Sequence, residues 1–313
     1  MAQKKVVSRR NAGFGDNLFA AAHAWYYAKE TNRTLVINWA PSMYMEHKKT
    51  NAFACFFEVQ GTIYGTPIIV EKNVGFLKRF YRQLPVFPLK YFVPTLLSKL
   101  AYKALKERTP AFFRHVLNKR RNKHKEIINN GIDVPHKTVV FNNDYSFLKG
   151  ETKPFFDELK LKPEYQKVVD DFSEKHFSGK QVLGVHIRSY NKNIPSNHNK
   201  YWLDQQKSLD TIKNRIQHII TEQGLSDYVI FLATDSVVAQ GFIKKSLRNV
   251  VTYNENFQIK PTFSQHLKVN FHAAADALID MFLLARSDIL YRFPPTGSWF
   301  SHYASLYAKK TIM

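Results

Sequence analysis

Four apolar residues, Val182, Leu183, Gly184 and Val185, run without a turn residue into His186, Ile187 and Arg188. A strand of that composition reads as buried on both faces, so its end carries an imidazole and a guanidinium out of an apolar layer. A buried cation is costly without a partner. The partner of Arg188 is either a structural carboxylate or an anionic ligand, and the planar fork of guanidinium donors suits bidentate contact with a phosphate. Two further polar clusters stand where strands end. Thr234, Asp235 and Ser236 follow the apolar run 228–233, and Thr296, Gly297 and Ser298 follow the run 289–292 and two prolines. Ligands of open α/β sheets bind beyond the carboxyl ends of strands. The last cluster opens a helix, where backbone N–H groups and a hydroxyl can hold a phosphate. Asp235 or Asp280 can accept hydrogen bonds from a ribose or a base. Each group also has an ordinary structural use: Asp235 with Ser236 and Ser298 as helix caps, Arg188 as the ion-pair partner of Asp235. Convergence at three strand ends favours a ligand. No GxGxxG follows a strand and no GxxxxGK[ST] occurs, which speaks against dinucleotide cofactors and P-loop chemistry.

Such clusters need strands and helices to hold them. Residues 5–8 read as a strand entering GFGDNLF, and residues 17–31 as an apolar-rich helix followed by a strand at 34–37. Residues 63–70 read as one short strand and 138–141 as another. Residues 163–176 read as an amphipathic helix closed by Ser178 and Gly179. Beyond it the pattern predicts strands at 182–187, 228–233, 250–253 and 289–292. Helices are expected at 201–223, from Ser236 to Leu247, at 273–285 and at 299–308. Alternation of this kind implies α/β layers with mostly parallel sheets. No internal repeat or low-complexity linker interrupts it. The domain boundary falls at 176–180, giving units 1–177 and 178–313.

A chain of 313 residues with 44% hydrophobic content can build sizeable cores. No apolar run reaches the roughly 18 residues that span a bilayer, and the start MAQKKVVSRRNAG lacks the apolar segment of a signal peptide. A lone cysteine, Cys55, excludes an internal disulfide and offers no thiolate cluster for a metal. These features point to a cytoplasmic protein. The charge is unusual: +21 formally, of which the segment from Lys78 to Lys125 supplies a net +13, with fourteen basic residues and one acid, Glu107. That segment also carries Phe80, Tyr81, Phe87, Tyr91, Phe92, Phe112 and Phe113. Basic amphipathic segments with aromatics lie well on anionic membranes, while the plainer reading is a solvated basic helical hairpin. Nucleic acid is a third partner for such charge, but no zinc-finger, RNA-recognition or homeodomain pattern supports it.

The ordered stretches SRRNAGFGDNLFAAAHAWYYAKETNRTLVINW, TNAFACFFE, HFSGKQVLGVHIR, FLATDS and ALIDMFLLARSDILYRFPPT resemble the nodulation-type α-1,6-fucosyltransferases of glycosyltransferase family 23. The basic segment lies outside the resemblance. The likeness implies a GT-B-like fold of two Rossmann-like domains facing a cleft, with the acceptor on the first domain and GDP-fucose on the second. The last helix would pack back on the first domain. The likeness further implies transfer of fucose to a saccharide acceptor with inversion, without a metal or other cofactor. By the same resemblance Arg188 binds the diphosphate and stabilises departing GDP, with His186 beside it. Asp280 reads guanine, Asp235 and Ser236 lie near the nucleoside, and Ser298, with Thr296 and Gly297, meets the β-phosphate. Where the family's loop after H-x-R carries carboxylates, this chain reads SYNKNIPSNHNKYW, with no acid before Asp204. Asn191 and Lys192 are then donor contacts, and His198 and Asp16 are two candidates for the general base. Two classes of function remain. One is a GDP-sugar transferase building a bacterial surface glycan or a lipid-linked oligosaccharide, peripheral on the inner membrane. The other is a non-catalytic basic module for anionic lipid or nucleic acid.

Overall fold

The computed structural model describes residues 4–10, 13–40, 45, 50–58, 61–71, 133, 138–141, 152–188, 205–253, 271–293 and 298–312. Two five-stranded sheets organise them. The first is built from β1 (Lys5–Ser8), β2 (Thr34–Ile37), β3 (Thr62–Ile63), β4 (Thr66–Val70) and β5 (Thr138–Phe141), in the order β3-β4-β2-β1-β5. All pairs are parallel except β3 with β4. That exception corrects the sequence-based expectation of one strand over 63–70. Tyr64 and Gly65 take φ of 45° and 73°, and this two-residue turn folds the segment into a hairpin.

Helix α1 (Phe14–Glu30) buries almost its whole circumference, including Leu18, Phe19, Trp25 and Tyr27. It begins three residues earlier than its apolar pattern suggested, because Gly13 in an extended conformation lets Phe14 enter the first turn. The short α2 (Ala52–Phe56) has no sequence periodicity to announce it. It is set by Asn51, whose buried amide uses both ends. Its oxygen accepts from the backbone N–H of Trp39 and Phe53 at 3.0 and 3.2 Å, and its nitrogen donates to the carbonyls of Ile37 and Glu71 at 2.9 and 2.8 Å. One fully satisfied side chain thus ties the ends of β2 and β4 to α2. A further short helix, α3 (Lys153–Asp157), was also not anticipated.

The second sheet collects β6 (Gln181–Ile187), β7 (Tyr228–Thr234), β8 (Val250–Val251), β9 (Ile289–Phe293) and β10 (Lys310–Ile312), all parallel, in the order β10-β9-β6-β7-β8. Counted from its own first strand this is 5-4-1-2-3, the Rossmann order, with its switch point between β6 and β9. The helices are α4 (Pro163–Phe177), α5 (Gln205–Glu222), α6 (Val237–Ser246), α7 (Phe271–Leu284) and α8 (Trp299–Ser305). The last is shorter than the expected 299–308, strand β8 stops two residues before the expected end at 253, and β10 was not foreseen. Leu183, Val185 and Ile187 on one face of β6 pack under Ile212, Ile216 and Ile219 of α5 and Ile243 of α6. The opposite face joins a core continuous with the first sheet, including Phe231, Leu284, Tyr303, Phe19 and Phe156.

Two helices cross between the halves. From α4, Phe172 and Phe177 set their rings edge-on to Phe231 of β7 at 5.7 and 5.6 Å, and Asp170 pairs with Arg286. In return α8 lies on α1: Phe19 meets Trp299 at 4.5 Å between ring centroids. A Cβ on Gly15 would stand 2.8 Å from the Phe300 nitrogen, so this approach of α1 to α8 requires glycine. No described helix is long and apolar enough to cross a membrane. The basic segment from Lys78 to Lys125 lies outside the described residues.

Candidate active site at the second switch point

The carboxyl ends of β6, β7 and β9 bring the site together. Their parallel register pairs His186 with Ala233 on one side and Arg292 on the other. Side chains two apart on a strand share a face, so His186, Arg188, Arg292 and Asp235 all rise from the α8 side of the sheet. His186 is buried and stacks on Phe300 of α8, with ring centroids 5.1 Å apart and planes at 26°. Burial, then the positive charges of Arg188 and Arg292, lower its pKa to about 3. The imidazole is therefore neutral at physiological pH.

Arg188 stands one layer higher. Its backbone N–H donates to the Phe293 carbonyl at 2.9 Å, extending the β6–β9 ladder. Its Nη1 lies 2.8 Å from Asp235 Oδ2, and its side chain remains 39% exposed. Both partners considered from sequence are thus compatible with the geometry: a carboxylate holds the guanidinium, and open solvent lies beside it for an anion. Ser236 caps α6, its hydroxyl accepting from the Ala239 N–H at 3.1 Å. Ser298 occupies the N-cap position of α8 without a side-chain capping bond. Its carbonyl, instead, accepts from Arg292 Nη2 at 3.4 Å.

Asp280 lies on α7, partly buried, one turn beyond Asp276. Burial and then the charge of Asp276 raise its pKa well above the usual carboxylate range. No hydrogen bond or ion pair of Asp280 occurs among the described residues. Asp16 lies in the first turn of α1, where Arg10 Nη2 donates to Oδ1 at 3.2 Å. Its neighbour Gly15 touches Phe300, the ring that covers His186. The start of α1 and the end of β6 are therefore joined through α8. His198, Asn191, Lys192, Thr296 and Gly297 lie outside the described residues. No group of three or more His, Cys, Asp or Glu placed to hold a metal occurs among the described residues.

Sequence reading missed Arg292, Phe300 and His302. Arg292 is buried, and Nε donates to the Ser301 hydroxyl at 3.0 Å. Burial holds its pKa below the usual arginine value. His302 lies 5.0 Å from the Phe19 ring, and burial and Arg292 lower its pKa. The signal for Arg292 was available. ILYRF puts a cation inside an otherwise apolar parallel strand, the same anomaly that drew attention to Arg188.

This arrangement has close counterparts. A chain from Bradyrhizobium diazoefficiens described as nodulation protein Z is 31% identical over 310 residues, which cover 98% of this chain and 80% of that one. The crystal structure of NodZ α-1,6-fucosyltransferase soaked with GDP-fucose superposes with a TM-score of 0.68 at 30% identity, covering 98% of this chain and 93% of that one. A POFUT1 chain in complex with GDP shares the fold at a TM-score of 0.53 and 14% identity, covering 99% and 98%. The architecture is GT-B-like, with two Rossmann-like α/β units. The profile of nodulation protein Z matches residues 2–313, so the chain belongs to the nodulation protein Z (NodZ) family.

Proposed function

We propose that the chain is an inverting fucosyltransferase that moves fucose from GDP-fucose to a saccharide acceptor. The observation that carries the reading is the placement of Arg188. A partly exposed guanidinium stands at the switch point of a Rossmann-ordered sheet, in a chain 30% identical to a transferase whose crystals were soaked with GDP-fucose. Residues 178–313 form the donor unit and residues 1–177 the acceptor side. In transfer, the bond from the anomeric carbon to the β-phosphate oxygen breaks while the acceptor oxygen attacks the opposite face. Negative charge grows on GDP as this happens, and fixed N–H donors of Arg188 stabilise it without rearranging. Asp235, 2.8 Å away, holds the fork in place before the donor arrives. A base must take the acceptor proton, and Asp16 and His198 are the candidates.

Arginine and lysine side chains supply the positive charge that a divalent cation supplies in other transferases, so transfer should persist in excess chelator. The basic segment from Lys78 to Lys125 suits docking on an anionic cytoplasmic leaflet, where each cation contributes on the order of 1 kcal/mol. A lipid-linked saccharide is the acceptor such docking would serve. GDP release measured with GDP-fucose, GDP-mannose and a UDP-sugar tests the donor. Release from GDP-fucose alone supports the reading, and equal rates with all three would overturn it. Cosedimentation with neutral and anionic vesicles tests the docking, and equal, negligible binding to both would remove it.

A further inference from the structure

Arg292 is a buried cation whose hydrogen-bond partners among the described residues are all neutral. Nε donates to the Ser301 hydroxyl at 3.0 Å and Nη2 to the Ser298 carbonyl at 3.4 Å. No carboxylate forms an ion pair with it among the described residues, and no hydrogen bond there involves Nη1. Its charge is felt by His186 and His302, and neither offers negative charge. A guanidinium that loses hydration without gaining a counter-charge is strongly disfavoured unless an anion supplies it.

The geometry indicates where an anion would sit. Arg292 is in register with His186, and Arg188 is two residues further along the same face of β6. The two cations are therefore diagonal neighbours across adjacent strands, a spacing of roughly 7–8 Å between backbones. Their long side chains can converge on a group between them. The arms differ in restraint: Arg188 is shared with Asp235 at the rim, whereas among the described residues Arg292 is tethered by a hydroxyl and a carbonyl. Ser301 has no exposed surface, so the tether fixes the plane of the fork.

We propose that Arg292 is a second donor-binding residue, seated one layer below Arg188 and presenting Nη1 to the donor diphosphate. This rests on the reading of the chain as a GDP-sugar transferase. Arg188 then meets the diphosphate from the rim and Arg292 from the sheet, and the neutral His186, in register with Arg292, does not compete for the anion. Ser301 orients the fork.

The test is calorimetric titration of the full chain with GDP and, separately, with guanosine, for the wild type, Arg292→Gln and Arg292→Lys. Loss of a charged hydrogen bond to phosphate predicts about tenfold to a hundredfold weaker GDP binding in Arg292→Gln, with guanosine unchanged. Arg292→Lys keeps charge and stem length, so it preserves the fold if glutamine does not, and should fall between the wild type and Arg292→Gln because it lacks the fork. Equal losses for GDP and guanosine would mean that Arg292 only holds α8 on the sheet, and would overturn the assignment. Wild-type affinity for GDP in Arg292→Lys would overturn it too. A wild type that binds neither GDP nor guanosine would sink the transferase reading itself, which separates the two failures.

Discussion

Arg188 and Asp235 close a 2.8 Å ion pair across the ends of neighbouring strands, with the arginine side chain 39% exposed. An ion pair open to water to that degree contributes about 0–1 kcal/mol to stability. Arg188→Ala should therefore leave the unfolding temperature nearly unchanged. Transfer should nevertheless fall by about a hundredfold to a thousandfold, the usual loss when a fixed donor to developing charge is removed. Arg188→Lys should recover little, since a point charge does not replace the fork. Melting curves and GDP-fucose turnover on the same samples separate the two effects. Normal turnover in Arg188→Ala would remove this residue from the mechanism.

Contact between the halves should be as sensitive as the site. A Cβ on Gly15 would lie 2.8 Å from the Phe300 nitrogen and 2.9 Å from the Trp299 carbonyl carbon, both backbone atoms that cannot swing aside. Gly15→Ala should push α1 from α8 and cost about 1–3 kcal/mol, the usual range for overpacking. Since Phe300 covers His186, donor binding should weaken as well. Denaturant unfolding and GDP titration would check both. A variant as stable as the wild type would show that the helices can separate freely.

Acidification should destabilise the protein through His186. Its folded pKa is depressed to about 3 by burial and by Arg188 and Arg292, whereas an unfolded histidine titrates near 6.5. Between those values the unfolded chain binds the proton and the folded chain does not, so stability rises with pH. The slope from this group approaches about 1.4 kcal/mol per pH unit well below 6.5 and vanishes above it. His302, lowered by burial and by Arg292, acts in the same direction. His186→Gln should flatten the stability profile between about pH 4 and 6. Denaturant melts across that range give the slope, and parallel profiles for the two proteins would mean that His186 is not the titrating group.

Much of this was readable in advance where local chemistry and global packing agree. β1, β2 and β5 lie at their expected residues because short β-branched runs bounded by polar residues have few alternatives. The elements that were missed depend on tertiary partners. Helix α2 exists because Asn51 finds carbonyls of β2 and β4, and β10 because β9 offers an edge. The site divides the same way. Arg188, His186 and Asp235 were visible at strand ends, but the guarding role of Phe300 needs α8 folded over β6. Arg292 lies inside an apolar strand whose polar turn, two residues on, carries the stronger local signal.

Asp280 should show function set against stability. Burial and Asp276 raise its pKa, so the folded chain holds this proton more tightly than the unfolded chain. Stability from this group is therefore greatest at low pH and declines as pH rises from the unfolded value of about 3.9 toward the raised folded value. Asp280→Asn removes that penalty and should raise the unfolding temperature at neutral pH. The same change exchanges an acceptor oxygen for an amide donor. If the carboxylate accepts the N–H groups of guanine, GDP should then bind about tenfold to a hundredfold more weakly, with UDP no worse. Binding of guanine would also favour the ionised form of Asp280, so GDP affinity should rise with pH across its titration in the wild type and not in Asp280→Asn. Calorimetry with GDP and UDP at several pH values, beside melting curves of the free proteins, tests each step. A more stable variant with unchanged GDP affinity would leave Asp280 as a buried acid with no part in reading the base. A less stable variant would show instead that its charge is compensated in the native fold.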